Sequence, residues 1–181
     1  MTDGQIELGQ NHFQTETDLS IDKIPEPTNA YRINERRFGI ASFSKNKPYL
    51  ITYGLASCKA FILYDRESRS GLLAHLSVVN DLDATLEELV AKFNKDLSQI
   101  DISLVQGGSQ IESPKWPTLD QISQNLIAKG AKHITFDPNF SKSSQPRGVA
   151  LNLGTGKVSE IDNSRSWTWS KTQDISINQE I

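Results

Sequence analysis

From position 37 onward, apolar residues gather in short runs separated by turn residues, whereas before it they are scattered among polar ones. Residues 38–43 read as a strand, 45–48 as its turn and 49–53 as a second strand. Two further apolar runs, 60–64 and 71–76, flank the polar stretch 65–70, which predicts a β-hairpin. Leu86, Leu89, Val90, Phe93 and Leu97 then recur at helical spacing, with Asp83 placed to cap that helix. Residues 102–105 form a buried-strand pattern ending at Gly107-Gly108. Thr118 with Gln121 makes a capping box after Pro117, and Gly130 stands where a C-terminal cap belongs, so Leu119, Ile122 and Leu126 become the buried stripe of a second helix. Runs at 134–136, 149–153 and 157–161 complete the set, the last two joined by Gly154-Thr155-Gly156. About seven strands and two main helices predict a mixed β-sheet with helices on one face, an α+β or α/β layered sandwich. The division expected is a polar leader over 1–36, a folded domain over 37–163 and a tail over 164–181 whose Trp167 and Trp169 offer apolar surface to pack back.

Composition narrows the function classes. A chain of 181 residues fits one domain with tails. The formal net charge is -3, and the basic residues form no block able to neutralise a run of phosphates, so nucleic acid is not an expected partner. No apolar stretch reaches the roughly 18 residues of a membrane helix. The N-terminus lacks the basic-then-apolar pattern of a signal peptide. The expectation is a cytoplasmic protein without membrane insertion, with secretion by a non-cleaved signal left open. The single cysteine, Cys58, rules out an intramolecular disulfide and any multi-cysteine zinc site. No metal or cofactor is expected, and the question narrows to whether Cys58 is an inert buried thiol or a reactive one.

If the hairpin turns near Arg66-Glu67, Cys58 stands directly opposite His75. Facing β carbons lie about 4.5 to 5.5 Å apart, close enough for a thiol and its base. A register slip of one residue would put them on opposite faces. Thr52 ends the preceding strand and can return its hydroxyl or carbonyl to the imidazole, orienting it and fixing its tautomer. Small residues precede the nucleophile, and the backbone N–H groups of Ala56 and Ser57 are candidate oxyanion donors. Against this stand ordinary roles: a cysteine between apolar strands is commonly a small buried hydrophobe, and a histidine there a hydrogen-bonded core residue. His12 and His133 read as surface residues, and the glycine pairs as turns.

The run Thr52-Tyr-Gly-Leu-Ala-Ser-Cys58, followed by Gly71-Leu-Leu-Ala-His75, resembles the chemoreceptor glutamine deamidases of bacterial chemotaxis, the CheD family. Fainter matches follow in order at Val105-Gln106-Gly107-Gly108, at Lys129-Gly130-Ala131 and from Arg147 to Val149. By that resemblance Cys58 attacks a protein glutamine amide, His75 carries the proton and Thr52 orients His75. The partner implied is a protein bearing the target glutamine, a chemoreceptor or another protein. The fold implied is similar to the deamidase domain of the cytotoxic necrotizing factor toxins. Ala56 replaces a family glycine, and the stretches 76–80, 115–118 and 141–146 depart from the family pattern, so the chemistry is better supported than chemotaxis. Two alternatives remain: a non-catalytic adaptor on the same fold, and a transglutaminase-like acyl transfer to an amine. An active thiol of this kind is expected to alkylate faster than a free one, with a pH dependence set by His75.

Overall fold

The central hairpin is apolar on both faces, which a strand tolerates only when both faces are covered. The computed structural model describes residues 22–77, 82–107, 117–137 and 146–161, together with the backbone of Gln179–Glu180. In chain order the elements are β1 (Lys23–Ile24), β2 (Ala30–Ile33), β3 (Arg37–Ser42), β4 (Tyr49–Leu55), β5 (Lys59–Asp65) and β6 (Ser70–Leu76). There follow α1 (Leu82–Phe93), β7 (Asp101–Gln106), α2 (Leu119–Ala128), β8 (His133–Asp137), β9 (Arg147–Asn152), β10 (Val158–Ile161) and β11 (Gln179–Glu180).

The strands form two mixed sheets rather than the single sheet expected. One has the order β1-β10-β9-β4-β2 and the other β11-β3-β6-β5-β7-β8. Alternation along β5 shows how they stack. Phe61 and Leu63 face α1 and α2, in a core with Leu86, Leu89, Phe93, Ile122 and Leu126. Ala60, Ile62 and Tyr64 face the other sheet, in a core with Leu50, Val149 and Leu151. The protein is therefore an α+β sandwich of three layers, with both described helices on the outer face of the six-stranded sheet. Each further methylene buried in these cores contributes about 0.8 kcal/mol, which makes the two-faced hairpin the energetic centre. The Tyr64 hydroxyl, between the sheets, donates to the Leu153 carbonyl at 3.0 Å.

Local signals account for most element ends. Thr118 and Gln121 form the capping box, the Gln121 N–H donating to Thr118 Oγ1 at 3.2 Å and the Thr118 N–H to Gln121 Oε1 at 2.9 Å. Gly130 follows the second helix with φ +99°, and Leu119, Ile122 and Leu126 are buried as the periodicity requires. Asp83 lies inside the first turn of α1, where it accepts from the Asn125 side chain at 2.7 Å, a tie to α2 in place of the predicted cap.

Two expectations need correction. The stretch read as a polar leader carries β1 and β2, and β2 pairs in parallel with β4, setting Ile33 beside Thr52. Edge strands of two and four residues with mixed burial leave little hydrophobic pattern, so the sheet begins before position 37 without announcing itself. In the tail, Gln179–Glu180 pairs antiparallel with β3, while Trp167 and Trp169 lie outside the described residues, as does His12. No described helix is long and apolar enough to cross a membrane.

Candidate active site

The hairpin turn is longer than predicted. Asp65 pairs with Ser70, Arg69 takes φ +49°, and the Asp65 carboxylate accepts from the Glu67 N–H at 3.0 Å and the Ser68 hydroxyl at 2.6 Å. The register consequently moves by two residues: His75 faces Ala60, and Cys58 is its diagonal neighbour one pleat further on. An even shift preserves the face, so Cys58 and His75 still look into the space between the sheets. Direct opposition is lost. Diagonal cross-strand neighbours stand about 7 to 8 Å apart at the backbone, and Cys58 Sγ makes no hydrogen bond to His75 Nε2 in the resting structure.

Thr52 looks into the same space from β4. Its Oγ1 is 2.8 Å from His75 Nδ1 and 2.8 Å from the Ile33 carbonyl. A carbonyl can only accept, so the one hydroxyl hydrogen goes to Ile33 and the oxygen lone pair faces Nδ1. His75 must then donate from Nδ1, which leaves Nε2 as the bare lone pair of the neutral ring. Burial pushes the His75 pKa down to about 4, against the pull of the Glu35 charge, so the ring is neutral at pH 7. Nε2 is buried and has no hydrogen-bond partner among the described residues. An unpaired buried acceptor ordinarily costs about 1 to 3 kcal/mol, so it persists where something else requires it.

Cys58 retains 6% of its surface. Burial pushes its pKa up to about 11, reinforced by Glu35, while the Ser57 side chain and Lys59 pull it down. With the thiol pushed up and the imidazole pushed down by burial, the proton rests on sulfur. The resting pair is neutral, which reverses the expectation of a thiol more reactive than a free one.

The loop before Cys58 is shaped by Gly54, at φ +78°, where β4 shifts register against β9 between Thr52 and Leu55. The Ala56 N–H donates to the Gly54 carbonyl at 2.7 Å, which takes Ala56 out of the set of free oxyanion donors and leaves the Ser57 amide from the expected pair. Ala56 does not have a positive φ, so the backbone here does not require glycine at that position. On the other side, the Gly107 N–H donates to the Cys58 carbonyl at 2.9 Å. A β carbon on Gly107 would lie 2.2 Å from the Ala56 oxygen and 2.7 Å from those of Leu55 and Cys58, so only glycine lets the strands close around the nucleophile loop.

Some contributors were not anticipated. Ile33 supplies the carbonyl that sets the tautomer, from within the presumed leader. Glu35 sits on the exposed turn after β2, where its charge acts on both Cys58 and His75, and the next residue, Arg36 at φ +61°, donates its N–H to the His75 carbonyl at 3.0 Å. Neither could be read from periodicity, because both depend on β2 lying beside β4. His133 is exposed, as expected. A cavity of about 280 Å³ between α1 and α2, lined by Leu86, Val90, Leu97 and Leu126, lies on the opposite face of the six-stranded sheet from Cys58. No group of three or more metal-ligating side chains occurs among the described residues. Neither a family model nor a curated protein sequence matches the chain.

Proposed function

We propose that the protein is a cysteine-dependent protein glutamine deamidase with a CheD-like fold, using Cys58 as nucleophile, His75 as base and Thr52 as the group that orients the base. The observation that carries this reading is the chain Ile33 carbonyl, Thr52 hydroxyl, His75 Nδ1–H, which leaves a buried Nε2, without a partner among the described residues, on the face shared with Cys58. A histidine serving only the core gains nothing from a bare nitrogen, whereas a general base needs one.

In this mechanism the thiol proton passes to Nε2 as the Cys58 Sγ–carbon bond forms at the glutamine side-chain amide. The tetrahedral oxyanion is met by backbone N–H groups of the Ser57–Cys58 segment. The imidazolium returns its proton to the amide nitrogen, the carbon–nitrogen bond breaks, and ammonia leaves a thioester. Water then adds to the thioester, giving a proton to Nε2 that finally returns to sulfur, and glutamate is released. Because the resting pair is neutral, proton transfer accompanies attack instead of preceding it.

The test is incubation of folded glutamine-bearing proteins, chemoreceptor domains among them, with ammonia and peptide masses followed together. Ammonia with a matching Gln→Glu mass change, abolished in Cys58→Ser and in His75→Gln, is the expected result. The same product from Cys58→Ser would end the reading. Burial of Cys58 favours a second reading, a non-catalytic adaptor that keeps the fold. It predicts tight binding of a partner with no change in any glutamine. Formation of an isopeptide bond in place of glutamate would identify the amine-transfer variant.

A further inference from the structure

Arg147 opens β9 opposite Leu55, at the point where β4 resumes pairing after its register shift. Its side chain, 4% exposed, spans the space between the sheets. Nη1 donates to the Gln106 carbonyl at 3.0 Å, and Nη2 to Asp137 Oδ2 at 2.6 Å and Glu160 Oε2 at 2.9 Å. One guanidinium thus ties the start of β9 to the ends of β7, β8 and β10. The next residue after Gln106 is Gly107, whose N–H holds the Cys58 carbonyl. From the guanidinium to the nucleophile the path is a hydrogen bond, one peptide unit and a second hydrogen bond.

A buried ion pair of this kind is a poor source of net stability, because desolvating the charges offsets most of their attraction. What a planar, many-donor guanidinium supplies is fixed geometry among several acceptors, which an ammonium cannot reproduce. We infer that Arg147 is a second positioning residue of the thiol site, fixing the end of β7 so that Gly107 holds the Cys58 loop in place. This rests on the deamidase reading for its catalytic consequence, though not for its structural one.

The test uses the full chain with Arg147→Lys, which keeps the charge and loses the fork. Three readouts apply: amide exchange of Gly107, the pH profile of Cys58 alkylation by iodoacetamide, and kcat against KM for ammonia release. With near-ultraviolet circular dichroism unchanged, Gly107 exchange and neutral-pH alkylation should both rise about tenfold or more as the loop loosens and the thiol gains solvent. Loss of positioning should lower kcat about tenfold or more with KM within about twofold. A folded variant with Gly107 exchange and the alkylation profile unchanged would overturn the inference. If Arg147→Lys does not fold, Glu160→Gln, which removes the more exposed of the two carboxylate charges, decides it on the same exchange and alkylation readouts, a smaller shift in the same direction supporting it and no shift overturning it. A wild-type protein that releases no ammonia would end the deamidase reading alone, since exchange and alkylation still report on Arg147.

Discussion

Replacing Thr52 by Val keeps the shape of the side chain and removes its oxygen, which isolates what that oxygen does. Two buried groups lose their partner, the Ile33 carbonyl and His75 Nδ1–H, each now at 2.8 Å from the hydroxyl. At roughly 1 to 2 kcal/mol apiece the loss is about 2 to 4 kcal/mol, within the reach of a domain of ordinary stability, so the variant should fold. The larger effect is on the tautomer. With no acceptor at Nδ1 the ring proton is free to move to Nε2, where it occupies the lone pair that takes the thiol proton, and general-base catalysis worth about a hundredfold to ten-thousandfold is lost. Thr52→Ser retains the hydroxyl and should keep most of the activity. Imidazole nitrogen chemical shifts at pH 7 distinguish the two tautomers directly. A wild-type His75 carrying its proton on Nε2, or a Thr52→Val protein that keeps both the Nδ1–H form and full activity, would refute the reasoning.

Three other consequences are measurable. His75 has a folded pKa near 4, below its ordinary 6.5, so its stabilising contribution is complete above pH 6.5 and is lost as pH falls towards 4. This amounts to about 3 kcal/mol, and it should appear as a slope in urea midpoints over that window that His75→Gln lacks; equal slopes would contradict it. With its pKa near 11, Cys58 in the resting protein should alkylate roughly 300-fold slower than a free thiol at neutral pH and accelerate about tenfold per pH unit. A rate matching glutathione would show the burial argument to be wrong. Gly107→Ala, whose β carbon meets three backbone oxygens, should cost about 3 kcal/mol or more in urea denaturation and abolish activity. Gly130→Ala meets nothing within 4 Å and carries only the strain of φ +99°, so it should cost about 1 kcal/mol and leave activity intact.

How much was legible follows from what each element depends on. The hairpin, both helices and the strands from β3 to β10 declare themselves through local pattern: continuous apolar runs where both faces are covered, a capping box at Thr118, glycines at φ-positive positions. The direct opposition of Cys58 and His75 expected from spacing is replaced by a diagonal relation, and only the shared inner face is kept, because the register moved by an even number of residues. The exact turn did not, since Asp65 and Arg69 close a four-residue loop whose geometry depends on side-chain hydrogen bonds that periodicity does not reveal. The second sheet was hidden for a different reason. β1, β2 and β11 are short edge strands that gain their order from partners distant in sequence, so Ile33, which fixes the tautomer, lay in apparently featureless chain. Arg147 and Gly107 stood in the sequence as turn and strand residues, and only the meeting of β7, β8 and β9 gives them a shared task.

The central claim is a covalent one and is tested most directly by intact-mass analysis of the protein quenched in acid during turnover of a glutamine-bearing substrate. The account predicts an adduct equal to the substrate less ammonia, mapped by digestion to Cys58, absent in Cys58→Ser and formed more slowly in His75→Gln. Glutamate formed by wild-type protein with no adduct at Cys58, at any quench time, would contradict it.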